Sequence, residues 1–293
     1  MANRFYIVDV FTEQRYSGNP LAIVVGSDSL PTESMQRIAA EMNFSETTFV
    51  TPEPEDSGYR VRIFTPSQEI AFAGHPILGT AWVIRQYLQK IPAMSVILKL
   101  TVGDISVRVE QTEEKNEVVW FRAPAIMLGA CCDRSKMAAA LGVAMEDIDA
   151  EYPVQQLSAN TSAVVVPLRS LDALKRSKLN LERYTELASQ GFPPLVYLFS
   201  RETHQPQNNL CARFFFEAHG VREDPATGNG AAFLGAYLLE HHFYTRPDFT
   251  LRIEQGYELR RPSLIMLHAR QDEGTREISV GGHVVPVVQG ELL

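Results

Sequence analysis

The sequence predicts an α+β fold made of two similar halves, and three features of the chain lead to this prediction. Many short segments rich in β-branched and aromatic residues are separated by turn residues. Each half also contains one long apolar helix, over about residues 76–88 and 230–242, which is typical of the α+β class. Both helices follow a polar stretch that contains glycine, and a feature repeated about half a chain apart indicates two related domains.

The first half contains two predicted helices among short strands. Apolar residues from Met35 to Met42 recur at helical spacing, so a helix is expected to begin near Pro31. The helix that follows His75 is apolar on nearly every side, as expected of a helix that a sheet encloses. Strands are predicted at residues 4–11, 21–26, 46–50, 59–64, 95–101, 104–110 and 117–122.

The proline-containing stretch after Arg122 is the predicted domain boundary. The domains are then residues 1–122 and 123–282, and the C-terminal strand, about residues 283–293, is expected to return to the first domain. Besides the long apolar helix, the second half has predicted helices at residues 135–141, 171–177 and 181–190. Its strands are predicted at residues 163–167, 195–200, 211–216, 249–254, 263–269, 277–280 and 283–288.

Composition excludes several classes of function. The formal net charge of −8 argues against a nucleic-acid partner, which needs a basic face. No run of apolar residues is long enough to span a membrane, and the first residues lack the apolar core of a signal peptide, so we expect a cytoplasmic protein. Cys131, Cys132 and Cys211 have neither the number nor the spacing of a disulfide framework or a zinc site.

The two helix starts are candidate anion sites. Pro76 has no N–H group and suits the first turn of a helix, which leaves the N–H groups of Gly74 and His75 at the positive end of the helix dipole. The second copy offers Gly228, Asn229 and Gly230 at the equivalent place. Backbone groups of this kind bind carboxylates, although helix starts of similar composition are also common without a ligand.

Three side chains are candidates for proton transfer or orientation. Glu46 opens a strand, with Phe44 and Phe49 as apolar neighbours that would disfavour its charged form; the alternative is a solvated residue at a strand edge. Asp224 precedes the second helix start, where it could instead be a helix cap. His75 at a helix N-terminus is expected to be neutral, as a hydrogen-bond donor, a proton carrier or a structural residue.

Known motifs for other chemistries are missing from the sequence. The seven histidines show no HExxH or similar ligand spacing, so no metal site is predicted. A GxSxG elbow, a P-loop and a GxGxxG after a strand are also missing. Covalent serine catalysis and nucleotide binding therefore have no support in this sequence.

Nine short segments, in order along nearly the whole chain, carry a resemblance to a known family. They are residues 8–12 (VDVFT), 18–20 (GNP), 43–47 (NFSET), 62–66 (RIFTP), 72–76 (FAGHP), 223–229 (EDPATGN), 255–258 (QGYE), 261–263 (RPS) and 280–282 (VGG). Taken together they resemble the phenazine-biosynthesis PhzF-like family, which has the fold of diaminopimelate epimerase. Each segment alone is a weak signal, and the ordered set is a strong one.

This resemblance implies both a fold and an activity. The fold would be two pseudo-symmetric domains, each a curled and mostly antiparallel sheet around a central helix, with the active site between them. The family works without metal or organic cofactor, usually as a homodimer, and its characterised member isomerises trans-2,3-dihydro-3-hydroxyanthranilate. A small carboxylic acid is therefore the expected substrate.

Residue roles carry over from the family motifs to matching positions. The glutamate of the Ser-Glu-Thr segment is the acid/base, which is Glu46 here, and His75 and Asp224 match the other two catalytic positions. The expected substrate-binding residues are Asn19, Ser45, Gly74, Gly228, Asn229 and Gly230. In the characterised member a serine stands where this chain has Asn229, which leaves the identity of the substrate open.

Two other functions stay open beside the leading hypothesis of a cofactor-independent isomerase. The first is an epimerase or racemase of an unusual amino acid. The epimerase relatives use one cysteine at each helix start, and because neither helix start here has a thiol, a two-thiol racemase is disfavoured. A single carboxyl that removes and returns one proton stays compatible with this activity. The second is a non-catalytic protein that binds small anions.

Overall fold

The computed structural model describes residues 3–53, 58–111, 116–215 and 223–293. Two compact units are distinguished by their internal contacts: Met1–Arg122 together with Val280–Leu293, and Ala123–Ser279. The predicted strand end at Phe216 and the beginning of the second glycine-containing stretch, residues 220–222, lie outside the described residues. That each unit is an independently folding domain stays a prediction.

The first unit is a mainly antiparallel sheet around one helix. Its helices are α1 (Thr32–Met42) and α2 (Gly74–Val83), and α2 continues into a π-helical turn at Ile84–Leu88. Its strands are β1 (Asn3–Val10), β2 (Asn19–Val25), β3 (Glu46–Pro52), β4 (Tyr59–Phe64), β5 (Glu69–Ile70), β6 (Ser95–Leu100), β7 (Gly103–Gln111), β8 (Glu117–Arg122) and, from the end of the chain, β18 (Val284–Leu292). All residues of α2 are buried, which explains its lack of a polar face. Seven strands of the first unit pack around it: β1, β2, β3, β6, β7, β8 and β18.

The C-terminal strand β18 is an integral part of the first unit. It pairs antiparallel with β1 from Asn3 opposite Leu292 to Val10 opposite Val284, with one irregularity after Ile7. Strand β1 also pairs antiparallel with β2 on its other side. The first strand of the unit is therefore held between its second strand and its last.

The second unit has a similar sheet with more helices on its outer side. Its helices are α3 (Arg134–Leu141), α4 (Leu171–Arg176), α5 (Leu181–Ser189) and α6 (Gly228–Glu240). Its strands are β9 (Met127–Cys131), β10 (Gln155–Ser158), β11 (Ser162–Leu168), β12 (Val196–Ser200), β13 (Leu210–Phe215), β14 (Glu223–Asp224), β15 (Asp248–Gln255), β16 (Ser263–Asp272) and β17 (Thr275–Gly282), which ends in the first unit. Helix α6 is buried along nearly its whole length and packs on β10, β11 and β16.

Both units pair their strands in the same order. In the first, β2 is parallel to β3, β4 is antiparallel to β3 and to β5, and β4 is parallel to β6. In the second, β11 is parallel to β12, β13 is antiparallel to β12 and to β14, and β13 is parallel to β15. The central helix follows the two-residue strand β5 or β14 in each case. The chain therefore contains an internal repeat, as the duplicated helix starts indicate.

A repeated arginine–glutamate pair fixes the short strand that precedes each central helix. Arg62 donates two hydrogen bonds to Glu69, at 2.7 and 2.6 Å, and its guanidinium lies 5.1 Å from the ring centre of Phe64. In the second unit Arg213 donates to Glu223 at 2.9 and 2.8 Å, and it lies 4.9 Å from the Phe215 ring. This geometry aligns the two units residue by residue: Arg62 corresponds to Arg213, and Gly74 to Gly228.

The α+β prediction is confirmed, and most of the predicted helices and strands are present with ends shifted by a few residues. Helix α6 begins at Gly228, two residues before the predicted start, and α2 begins at Gly74. Four strands were not predicted: β5, β9, β10 and β14. Strands β5, β10 and β14 have two to four residues, too few to show the apolar alternation of a half-buried strand. Strand β9 (MLGAC) is largely exposed and has no polar residues to alternate with its apolar ones. Within the described residues, no helix is long and apolar enough to cross a membrane.

Candidate active site

Glu46 is positioned by the end of α1 and the beginning of β3. The helix stops at Asn43, which adopts the left-handed conformation (φ 53°) and whose N–H bonds to the carbonyl of Ala39. The chain then enters β3 at Glu46, opposite Leu21 of the parallel strand β2. The side chain of Glu46 is buried, with the residue 5% exposed. The alternative of a solvated residue at a strand edge is therefore wrong.

The side chain of Glu46 lies on the face of β3 that turns toward α2. Thr48 shares this face, because residues two apart in a strand point the same way, and its hydroxyl lies 2.8 Å from that of Thr80 in α2. Phe49 is on the opposite face, where it packs with Met35 and Ala39 of α1. Of the two aromatic neighbours predicted for Glu46, Phe49 is therefore directed away from it.

His75 is the second residue of α2, and its ring contacts Glu46. The Nε2 atom lies 3.5 Å from a carboxylate oxygen of Glu46, and Nδ1 lies 3.2 Å from the side-chain nitrogen of Asn19. Burial lowers the pKa of His75 to about 3, against a smaller opposing effect of a hydrogen bond to the Pro20 carbonyl. The imidazole is therefore neutral at physiological pH, so its contact with Glu46 is not an ion pair. Asn19, Glu46 and His75, three of the predicted residues, lie together.

The N-terminus of α2 leaves backbone donors unused by the helix. Ala73 is the N-cap and has no side-chain acceptor, and the first intrahelical bond runs from the N–H of Ile77 to the Ala73 carbonyl, at 3.4 Å. Pro76 has no N–H group, so Gly74 and His75 supply the first-turn N–H groups. Ser45, the residue before Glu46, is buried, and its role in binding stays a prediction.

Asp224 ends β14 and is held by the turn that leads into α6. Its carboxylate accepts a hydrogen bond of 2.5 Å from the hydroxyl of Thr227, and the residue is buried. Because α6 begins at Gly228, the N-cap is Thr227 and not Asp224. The alternative of Asp224 as the helix cap is therefore wrong.

Gln255 and Gly256 hold this turn in place, and neither was predicted as a site residue. The Gln255 side chain donates to the Asp224 carbonyl at 2.8 Å and to the Thr227 hydroxyl at 3.0 Å, and it accepts from the Thr227 N–H at 3.2 Å. Gly256 has φ +81°, and a Cβ there would lie 2.5 Å from the Pro225 carbonyl oxygen. The segment at residues 255–258 was the only signal in the sequence that could have identified them.

The N-terminus of α6 repeats the arrangement of α2. Its first intrahelical bond joins the N–H of Ala231 to the Thr227 carbonyl at 3.0 Å, so the N–H groups of Gly228, Asn229 and Gly230 have no acceptor within the helix. Gly230 is required by close packing, because a Cβ at this position would lie 2.3 Å from the ring of Tyr197. Four predicted residues, Asp224 and Gly228 to Gly230, thus lie in one short segment of the second unit.

Among the described residues, one group could offer three atoms to a metal ion. His204 Nδ1, Cys211 Sγ and a carboxylate oxygen of Glu254 all lie within 4.8 Å of one another. Glu254 already accepts hydrogen bonds from the N–H groups of His204 and Gln205, from Asn208 and from the His204 ring. Burial raises the pKa of the Cys211 thiol. These contacts indicate a group that holds the loop between β12 and β13.

Comparison with known proteins identifies the family. The family model for phenazine biosynthesis-like proteins, PhzC-PhzF, matches residues 8–290. The chain belongs to this family. It is 36% identical to an uncharacterised isomerase of Mesorhizobium japonicum, over 100% of this chain and 99% of the relative. It is also 31% identical to the trans-2,3-dihydro-3-hydroxyanthranilate isomerase of Pseudomonas aeruginosa, over 98% of each chain.

Solved structures agree with membership of the PhzC-PhzF family. The PhzF-family phenazine biosynthesis protein of Bacillus anthracis has a TM-score of 0.91 at 26% identity, over 100% of this chain and 99% of that one. A hydroxyproline epimerase of Agrobacterium vitis has the same fold, with a TM-score of 0.62 at 10% identity, over 99% of this chain and 92% of that one. The predicted epimerase-like fold is confirmed. Like its full-length relatives in the PhzC-PhzF family, the protein is an isomerase.

Proposed function

We propose that this isomerase moves a proton on a small cyclic amino or hydroxy carboxylic acid, with Glu46 as general acid and base. The observation that carries the proposal is a buried carboxyl in contact with a neutral histidine, at a helix start whose first-turn N–H groups are not used within the helix. A carboxylate held away from bulk water is a stronger base than a solvated one and can keep a proton for redelivery.

The proposed reaction needs one carboxyl and no change in oxidation state. Glu46 takes a proton from a substrate carbon as the electron pair shifts into the adjacent π system. It then returns the proton to another carbon, so that product and substrate are isomers. The neutral ring of His75 supports this step, since an imidazole with one N–H can donate to Glu46 or to the substrate while its other nitrogen accepts.

Recognition of the substrate is assigned to the helix starts. First-turn N–H groups and the helix dipole favour a carboxylate, and both α2 and α6 offer them. We assign to His75 and Asp224 the orientation of an amino or hydroxyl group. To Asn229 we assign a contact that distinguishes this chain from the characterised family member, which has serine at this position. The proposal requires both sets of residues to act on the same substrate molecule.

The proposal is tested by following isomerisation in D₂O. A panel of cyclic amino and hydroxy acids, including trans-2,3-dihydro-3-hydroxyanthranilate, is incubated with the protein, and product and deuterium content are measured by NMR and mass spectrometry. Glu46→Gln keeps the size of the side chain but removes the base, so we expect its turnover to fall by at least about 10³-fold. Glu41→Gln is the matched control, because Glu41 is an exposed glutamate close by in the chain.

Two outcomes of this experiment would contradict the proposed reaction. Product formation by Glu46→Gln at the wild-type rate would overturn the role of Glu46. Deuterium at the α-carbon of an amino acid, with loss of optical rotation and no isomer, would replace ring isomerisation by racemisation.

A further inference from the structure

The hydroxyl of Tyr197, on β12, is buried among the described residues and makes no hydrogen bond to any of them. The residue is 0% exposed, and in the described part of the chain its oxygen has no hydrogen-bond partner. A buried polar group that makes no hydrogen bond destabilises the fold, and native structures keep such groups for a reason such as a ligand or an ordered water. Two other buried tyrosines of this unit are satisfied: Tyr184 donates to the Pro193 carbonyl at 2.6 Å and Tyr237 to the Pro153 carbonyl at 2.7 Å.

Tyr197 lies in the same row of the sheet as Asp224. It is directly opposite Phe214 on β13, and Phe214 is directly opposite Asp224 on β14. Residues opposite each other in neighbouring strands point to the same face of a sheet, so Tyr197 and Asp224 share one face. The first turn of α6 covers this face, because the Tyr197 ring fills the space that a Cβ at position 230 would need.

The first unit shows that the fold does not require an unpaired hydroxyl at this position. The corresponding row there is Thr48, Ile63 and Ile70, on β3, β4 and β5. Thr48 therefore matches Tyr197, and Ile70 matches Asp224. The hydroxyl of Thr48 is paired with Thr80 of α2 at 2.8 Å. One copy of the repeat pairs this hydroxyl with its own helix. In the other copy the hydroxyl has no partner among the described residues, and the Tyr197 ring packs against the start of α6.

We propose that Tyr197 is a further substrate-binding residue, whose hydroxyl donates a hydrogen bond to a carboxylate oxygen of a ligand held at the N-terminus of α6. This inference rests on the proposed function and adds a specificity element to it. A carboxylate there would accept from the first-turn N–H groups and from Tyr197, all of which are donors. Burial raises the pKa of Tyr197, so its hydroxyl keeps the proton that it must donate.

The substitution Tyr197→Phe tests this inference, with Tyr184→Phe as the matched control. Both remove one buried hydroxyl, but among the described residues only the hydroxyl of Tyr184 has a hydrogen-bond partner. The probe is 3-hydroxyanthranilate, a stable aromatic carboxylate, titrated in a calorimeter, and thermal midpoints are measured without ligand. We expect Tyr197→Phe to keep or raise the midpoint and to weaken binding about tenfold or more. Tyr184→Phe should lower the midpoint and leave binding unchanged.

A second probe tests the assignment to the carboxylate. Anthranilate lacks the ring hydroxyl but keeps the carboxylate, so Tyr197→Phe should weaken the binding of both probes by the same factor. A loss confined to 3-hydroxyanthranilate would overturn the carboxylate assignment. Unchanged binding, with a midpoint lowered as in Tyr184→Phe, would show that the hydroxyl has a structural partner such as a trapped water.

Failure of this inference can be told apart from failure of the proposed function. Glu46→Gln should still bind 3-hydroxyanthranilate while it loses turnover. If Tyr197→Phe binds 3-hydroxyanthranilate like the wild-type protein and Glu46→Gln is inactive, the role of Tyr197 is refuted and the proposed function is supported. If the wild-type protein binds neither probe and turns over no acid of the panel, both the proposed function and the role of Tyr197 are refuted.

Discussion

The guanidinium of Arg213 forms two parallel hydrogen bonds with the carboxylate of Glu223, the residue directly before Asp224. Both side chains are buried, and the third nitrogen of Arg213 donates to main-chain carbonyls at the end of α4, those of Leu174, Lys175 and Ser177. The pair therefore joins α4 to the short strand that presents Asp224. Arg62 and Glu69 form the same pair in the first unit, but there the side chains are about one-third exposed, 30% and 35%.

This difference in exposure predicts different costs for the same substitution. Arg213→Lys cannot make two parallel bonds and leaves Glu223 incompletely paired in a buried site, so we expect a loss of about 3 kcal/mol in the free energy of unfolding. Arg62→Lys should lose less than about 1 kcal/mol, because solvent screens the exposed pair. Urea unfolding of the two variants checks the prediction, and equal losses would contradict it.

The burial of His75 predicts a pH dependence of stability. Its pKa is about 3 in the folded protein and near its ordinary value of 6.5 in the unfolded chain, so between these values the unfolded state binds more protons. The contribution of His75 to stability is therefore complete above about pH 6.5 and falls as pH drops, by up to about 1.4 kcal/mol per pH unit. We expect His75→Asn to show a shallower loss between pH 6.5 and pH 5 in urea unfolding. Parallel curves for the two proteins would show that His75 does not carry this effect.

The contact between Gly230 and Tyr197 predicts that Gly230→Ala is destabilising despite the better helix propensity of alanine. The new Cβ would lie 2.3 Å from the Tyr197 ring, and we expect a loss of about 1–3 kcal/mol from overpacking. Gly235→Ala in the same helix is the control, because its nearest neighbours are methyl groups of Leu267 and Ile278 at 3.0 and 3.2 Å, farther away than the Tyr197 ring is from Gly230. In a Tyr197→Leu background, Gly230→Ala should lose less than in the wild-type protein. An unchanged loss there would rule out the ring contact as its cause.

The hydrogen bonds of the Thr227 hydroxyl lead us to expect that this residue affects the catalytic rate through Asp224. Thr227→Val keeps the shape of the side chain but removes the donor to Asp224 and the acceptor for Gln255. We expect kcat/KM on the proposed substrate class to fall about tenfold, since Asp224 loses the hydrogen bond that orients it. Thr80→Val removes a buried hydroxyl of the first unit and should lower stability without this change in kcat/KM. Equal effects of the two variants on kcat/KM would refute the orienting role.

The sequence allowed the larger elements and the two helix starts to be predicted. The pattern of α2, apolar on nearly every side, predicts a helix enclosed by a sheet, and the structure buries every one of its residues. Membership of the PhzC-PhzF family confirms the predicted resemblance. These features could be predicted because each depends on a local pattern of several residues. The catalytic and binding roles, including that of Glu46, stay predictions.

Other features depend on specific pairs of residues that no local periodicity links. The two-residue strands β5 and β14 are each held by an arginine–glutamate pair, Arg62 with Glu69 and Arg213 with Glu223. Gln255 reaches Asp224 across 31 residues, and Tyr197 meets Gly230 across the interior of the second unit. Phe49 lies three residues after Glu46 in β3, so the two-residue period of a strand places the two side chains on opposite faces.

The return of β18 to β1 has a consequence for biosynthesis. A ribosome releases the residues of the second unit, Ala123–Ser279, as one uninterrupted segment, before the chain that contains β18. Until that last strand emerges, one side of β1 is an uncovered edge that could pair with other nascent chains. We therefore expect the first unit to complete its fold only after the second unit, although strands β1 to β8 are synthesised before it.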